Sequence, residues 1–196
     1  MPRAGLSTSR VVDEAAALAD EVGLDNLTLA AVAERLGVRL PSLYKHVAGM
    51  PALQRELALR AKDEMTRVFA RSTVGKSRRA ALRALAIAYR VWATEHPGLY
   101  AAGVRAPLAG DAEDQQASAA AFEVVYDALS GYDVDEATTI DAVRALRASL
   151  HGYIGLAASG GFGMDRPLDE SMGWMLDALD MALTQPGART DLERSG

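Results

Sequence analysis

The chain contains no cysteine. That excludes a disulfide scaffold, a thiolate metal site and a cysteine nucleophile. It also lacks any uninterrupted apolar run of about eighteen residues, the length a membrane-spanning helix needs. Its first ten residues, MPRAGLSTSR, are polar and lead into no apolar stretch, so they do not read as a signal peptide. No membrane segment is expected, and the cytoplasm is the expected location. A basic excess is missing too: the formal net charge is −5, the wrong sign for coating nucleic acid by charge alone. Enzyme signatures are equally scarce. The chain holds three histidines but no HExxH spacing, and no GxxxxGK[ST] or GxSxG. The GGFG at 160–163 has no preceding strand to make it a dinucleotide loop. No catalytic residue, cofactor or metal is assigned.

What the chain does have is length and apolar mass. Its 196 residues, 49% of them hydrophobic, are enough for a real core. The charge is unevenly spread: residues 1–60 carry seven basic and seven acidic side chains, so the whole deficit falls in 61–196. A neutral head on an acidic body suits a local anionic contact rather than a long basic groove.

Alanine-rich segments with helical periodicity dominate, and no run has the strand period of two, so the fold class is all-α. The first helix is expected from about Ser9 to Val22, with Val12, Ala15, Ala16, Ala19 and Val22 on one face and Gly23 at its C-cap. A second begins after the N-cap Thr28, with Leu27 and Val32 placed as a hydrophobic staple, and ends at Gly37. A short third carries Pro41 in its first turn, the only place a helix tolerates proline without kinking. Leu43 and Val47 face inward, leaving Arg39, Leu40, Pro41, Ser42, Tyr44, Lys45 and His46 outside or at the edges. AGMP (48–51) breaks the pattern. Longer helices follow over about 52–72, 77–95, 115–130, 134–158 and 168–184, with a short one around 99–104 and loops at 105–114 and 158–167. The tail from Gln185 on is expected to fray.

Two helices joined by a glycine turn, the second polar outward, have the shape of a helix-turn-helix, although a polar surface helix in a bundle fits that shape as well. The residues go further. From Ser9 to Leu53, an Ala-rich helix ending in Glu21-Val22-Gly23, then LTLAAVAERLGV, then PSLYKHV, resemble the DNA-binding domain of the TetR family of transcriptional regulators. That resemblance implies an N-terminal three-helix DNA-binding domain (1–53) and a helical effector-binding and dimerisation domain (54–196). It implies a homodimer on a pseudo-palindromic double-stranded operator, acting as a repressor and released by a small effector. Thr28 would cap its helix and touch a phosphate. Arg39, Leu40 and Pro41 would face base edges. Ser42, Tyr44, Lys45 and His46 would hold phosphates, His46 having as its alternative a neutral place at a helix junction. Met50 stands where many relatives carry a phosphate-binding lysine.

In the body, VWATEHPGLYAAGV (91–104) and LHGYIGLAASGGFG (150–163) resemble a family subtype marked by a Trp, a His and a Gly, here Trp92, His96 and Gly98. Tyr89, Trp92, Tyr100, Phe122, Tyr126 and Tyr153 gather on the middle helices. With His96 and His151 as polar ends, the set reads as the lining of a pocket for a largely apolar effector, or else as packed core. Leu146, Leu150, Ile154 and Ala157 on one helix and Leu176, Leu179 and Leu183 on the last form wide apolar stripes. Leu150, Ile154, Leu176, Leu179 and Leu183 are expected at a dimer interface. A helical carrier or scaffold without operator-specific binding is the alternative reading of the chain.

Overall fold

A computed structural model describes residues 6–184, and among them every regular element is helical. Helix α1 (Thr8–Val22) starts where Ser7 accepts the backbone N–H of Arg10 and ends where the Gly23 N–H returns to the Ala19 carbonyl at 2.9 Å. Gly23 sits at φ +85, a conformation costly for a side chain. Val11, Ala15 and Ala19 are fully buried. Val22, expected on that face, is 41% exposed, because the chain is already turning into the one-turn Leu24–Asn26 segment.

Helices α2 (Leu29–Arg35) and α3 (Leu40–Leu43) follow, then the long α4 (Met50–Thr73). The break before α4 is made by Gly49 at φ +119, while Pro51 falls in the first turn of α4, where its missing N–H costs nothing. Next come α5 (Arg78–Glu95), α6 (Pro97–Gly103), α7 (Ala112–Leu129), α8 (Glu136–Ala158) and α9 (Leu168–Thr184). Asp135 caps α8, accepting the Thr138 N–H at 2.8 Å. The expected tail from Gln185 lies outside the described residues, as does Arg3.

The packing resolves into two compact units that run across the helices. The first holds the chain up to Val68 together with Val91–Ala121, so α1, α2, α3 and most of α4 share a core with α6. Leu43, Leu53, Leu57, Ala58 and Ala61 are inaccessible there. Burying each leucine contributes about 1.5–3 kcal/mol. The second holds Phe69–Arg90 and the chain from Phe122 on. In it α8 packs on α9, and Leu146, Leu150 and Ile154 on α8 and Met172, Leu176 and Leu183 on α9 are all buried. Tyr132 donates to Asp180 at 2.5 Å, and Arg79 and Arg83 both reach Asp177 (2.8 and 3.0 Å).

Candidate nucleic-acid interface

The turn between α2 and α3 is built by main-chain hydrogen bonds. The Val38 N–H reaches back to Ala33 O (3.0 Å) and the Gly37 N–H to Glu34 O (2.9 Å), the paired bonds of a Schellman cap. Gly37 stands at φ +67 with nothing within 4 Å of a would-be Cβ, so the backbone conformation alone asks for glycine. At the other end of α2, Thr28 accepts the Ala31 N–H at 3.2 Å, the expected N-cap. Leu27 and Val32, the expected staple residues, are both buried.

Arg39 is the extended N-cap residue of α3 and makes no capping bond with its side chain. Helix α3 is a single turn. The N–H groups of His46 and Val47 both return to Leu43 O (2.8 and 2.9 Å), so Tyr44, Lys45 and His46 occupy a turn rather than the continuing helix that the sequence suggests. Leu43 (0% exposed) and Val47 (4%) anchor this segment from below. Above them Thr28, Arg39, Pro41, Tyr44 and Lys45 are exposed, Tyr44 by 56%, and Leu40, Ser42 and His46 are half-buried. The Thr8 hydroxyl donates to the His46 carbonyl at 3.2 Å, tying the start of α1 to the end of this segment.

Ion pairs brace the unit behind. Arg35 on α2 donates to Glu21 (2.6 Å) and Glu14 (3.0 Å) on α1, which pushes the guanidinium pKa up. Arg55 grips Asp111 with two bonds (2.5 and 2.8 Å) and Glu113 with a third. Held first by Arg55 and then by the Asp114 N–H, Asp111 has its carboxyl lowered to about 2. Asp114 itself is fully buried and accepts from Lys62 (2.5 Å), Arg105 (2.7 Å) and the Leu108 N–H (3.0 Å). Burial pushes its pKa up, but these donors together outweigh that and hold it below the ordinary carboxylate value. This cluster was not expected from sequence. Its one local signal is Lys62, a cation that falls in the apolar stripe of α4 beside Ala58 and Ala61.

The expected effector residues divide between the units. Trp92, His96 and Tyr100 lie in the first, and Tyr89, Phe122, Tyr126 and His151 in the second. Trp92 is buried, its indole N–H 3.5 Å from Glu64, and its ring centroid lies 5.8 Å from that of His96. His96 Nδ1 lies 3.2 Å from Asp20. Tyr89 is buried edge-on against Phe69 (5.4 Å), a partner the sequence did not suggest. Phe122 and Tyr126 pair at 6.0 Å on the surface side, and His151 is exposed. Among the described residues no cluster of three or more metal-ligating side chains forms, and no helix is long and apolar enough to cross a membrane.

The expected interface leucines need correction. Leu150 and Leu176 are 1% exposed, Ile154 6% and Leu183 7%, while Leu179 is half-buried. Leu150, Ile154, Leu176 and Leu183, which the sequence offered to a second chain, are buried within a single chain. The large apolar side chains left exposed on these helices are Leu156, Trp174 and Met181.

A capped helix, a glycine turn and a short second helix with its polar edge outward make a helix-turn-helix, the motif with which one class of regulators meets DNA. Family comparison makes the assignment specific: the chain belongs to the TetR family of transcriptional regulators. The family described as "Bacterial regulatory proteins, tetR family" matches residues 11–57, and "Tetracyclin repressor-like, C-terminal domain" matches 82–179. The HTH-type transcriptional regulator YobS of Bacillus subtilis is 34% identical over 180 residues, 89% of this chain and 91% of that one. An HTH-type regulator of Mycobacterium tuberculosis is 36% identical over 158 residues, 80% and 72% of the two chains. Among solved structures, a Rhodococcus protein of unknown function superposes with a TM-score of 0.77 at 25% identity, covering 94% and 98% of the two chains. A TetR variant from Acinetobacter baumannii in complex with minocycline gives 0.69 at 23%, covering 91% and 96%. The chain is a transcriptional regulator, not an enzyme.

Proposed function

We propose that the chain works as a homodimeric repressor that sets two copies of the α2–α3 segment on a pseudo-palindromic operator and leaves it when a small, largely apolar effector binds. The observation that carries this reading is the exposed set Arg39, Pro41, Tyr44 and Lys45 standing over the buried Leu43 and Val47. A segment so anchored presents its polar edge without loss of core. Residues 1–53 serve as the DNA-binding head and 54–196 as the effector-binding and dimerisation domain. Thr28, Ser42, Tyr44, Lys45 and His46 bind phosphates, and Arg39, Leu40 and Pro41 meet base edges. The cytoplasm is the location that goes with reading chromosomal DNA.

In the body, Trp92, His96 and Gly98 are the residues of the Trp-His-Gly pattern; Trp92, His96 and Tyr100 in the first unit, and Tyr89, Phe122, Tyr126 and His151 in the second, are the candidate effector-binding residues, each group within its own unit. The dimer forms on the outer side of α8 and α9, where Trp174 (74% exposed) and Met181 (58%) fall two turns apart on one face. Gly152 and Gly155 lie exposed in the C-terminal third of α8 with nothing within 4 Å of a would-be Cβ. Each costs α8 about 1 kcal/mol relative to alanine, a cost that close approach of a second helix would offset.

The test is selection of duplexes from a randomised pool by the full chain. The expected product is a palindrome whose half-sites lie about one helical turn apart, or a multiple of it. A pool in which no sequence is enriched would favour a helical carrier or scaffold instead.

A further inference from the structure

In the first unit, most cations are already spoken for. Arg35 is held by Glu14 and Glu21, Arg55 by Asp111, Glu113 and Glu56, and Arg60 by Asp13 and Glu64. Lys62 and Arg105 share Asp114, and Arg67 pairs with Asp63 at 2.5 Å. Arg10 also has contacts of its own. Arg39 and Lys45 differ. Both are exposed, both lie on the α3 segment, and among the described residues no carboxylate comes within salt-bridge distance of either. Among the described residues, carboxylates of this unit therefore pair with Arg35, Arg55, Arg60, Lys62, Arg67 and Arg105 and leave the two cations of the α3 segment without one.

We infer that this regulator reads its operator as a low-charge binder, with Arg39 and Lys45 as the two cations that the described residues of each head bring to the DNA and neutral donors (Thr28, Ser42, Tyr44, His46) making the remaining polar contacts. The inference rests on the DNA-binding, dimeric reading above. Its physical consequence is weak salt dependence. Each neutralised phosphate releases counterions and contributes about 0.9 to the slope of log affinity against log salt, so four cations per dimer give a slope of about −3.6. A fourfold rise in salt then lowers operator affinity by roughly 150-fold, where a dimer neutralising 6–10 phosphates loses about 10³–10⁵. Specificity in such a complex depends less on ionic conditions than in a basic-patch binder, because the neutral contacts carry no counterion term.

The experiment is titration of the full-length protein on a duplex selected from the randomised pool, over a fourfold range of potassium chloride. Lys45→Gln removes two cations per dimer, so its loss over the same range should shrink to about 12-fold. Arg35→Gln and Arg67→Gln, which break exposed pairs, should leave the wild-type slope in place. A wild-type slope of about −7 or steeper overturns the inference, since it would require cations that the structure shows paired to be released to the DNA. So does a fall in slope for Arg35→Gln or Arg67→Gln equal to that for Lys45→Gln. If the pool yields no enriched duplex at any salt, the operator-binding reading fails and takes the inference with it; an enriched duplex with a steep slope defeats the inference alone.

Discussion

The Oδ1 of Asp20, on the last turn of α1, accepts the backbone N–H of Gly98 at 2.9 Å on the first turn of α6. The same oxygen takes the Leu99 N–H at 2.9 Å, so one carboxylate caps two orphan donors of a helix that its own N-cap residue, His96, leaves uncapped. The helices meet so closely that a Cβ on Gly98 would lie 2.2 Å from the Ala19 carbonyl carbon and oxygen. Backbone cannot yield as a side chain does. Gly98→Ala should therefore cost about 3 kcal/mol, the upper end of ordinary overpacking penalties, read as a lower midpoint in urea. Gly103→Ala should cost less, because its Cβ would overlap a single methyl carbon, Ala61 Cβ, at 2.8 Å rather than main-chain atoms at 2.2 Å. Equal stability of Gly98→Ala and wild type would mean that α1 and α6 do not meet this closely.

The buried Asp114 sets a second prediction. With Lys62 3% exposed and Asp114 inaccessible, Asp114→Asn leaves an ammonium buried beside a neutral amide. Breaking such a pair costs about 3–5 kcal/mol, and adding Lys62→Met should recover part of it. The pH dependence has a definite sign. A carboxyl whose folded pKa lies below its ordinary value of 3.8 stabilises the fold above that pH, and the contribution disappears as pH falls through the folded value. Asp111, lowered to about 2, loses its share between about pH 4 and 2. Wild type should lose stability with acid more steeply than Asp114→Asn, and parallel acid-unfolding curves would remove Asp114 from the account.

The head was readable in the sequence because its determinants are local. Thr28, Gly23, Gly37 and Pro41 each act on the residues within a turn of themselves, and each sits where the reading put it. The body was harder. An apolar stripe such as Leu146–Leu150–Ile154 has the same period whether its neighbour is α9 of its own chain or a helix of another, so periodicity could not tell core from interface. Lys62 and Asp114 lie 52 positions apart, and Phe69 and Tyr89 twenty; no local pattern joins either pair.

The corrected burial changes which substitutions test the dimer. A charge at Leu176 would be forced into the chain's own core and should unfold the second unit. Trp174→Glu places the charge on a residue already 74% exposed, so the monomer's fold should survive. Sedimentation should then show a folded monomer, and operator affinity should collapse because two half-sites no longer act through one body. A Trp174→Glu protein that stays dimeric at micromolar concentration places the interface elsewhere.

Effector binding can be followed through tryptophan emission, since Trp92 and Trp174 are the two indoles of the chain. In Trp174→Phe the emission comes from the buried Trp92 alone. Apolar aromatic compounds that bind beside Trp92 should quench it, and anionic sugars or phosphates should not. By linkage, a compound that releases the operator must itself bind more weakly when operator is present, by the same factor. A quencher whose affinity is indifferent to operator is not the inducer.

Arg39 and Tyr44 should separate base reading from backbone holding. Arg39 stands at the start of α3, exposed and free of carboxylates, where a guanidinium can offer two parallel donors to guanine O6 and N7. Arg39→Ala should cost about 1–3 kcal/mol on the selected duplex and flatten preference at one position of each half-site. Tyr44 is 56% exposed and neutral, and its hydroxyl suits a phosphate oxygen. Tyr44→Phe keeps the ring and removes that donor, so it should weaken every duplex by about 1 kcal/mol, leave the base preference intact and leave the salt slope unchanged. The contrast is diagnostic: loss of preference with Tyr44→Phe, or uniform weakening with Arg39→Ala, would exchange the two roles and turn the α3 segment about its axis on the DNA.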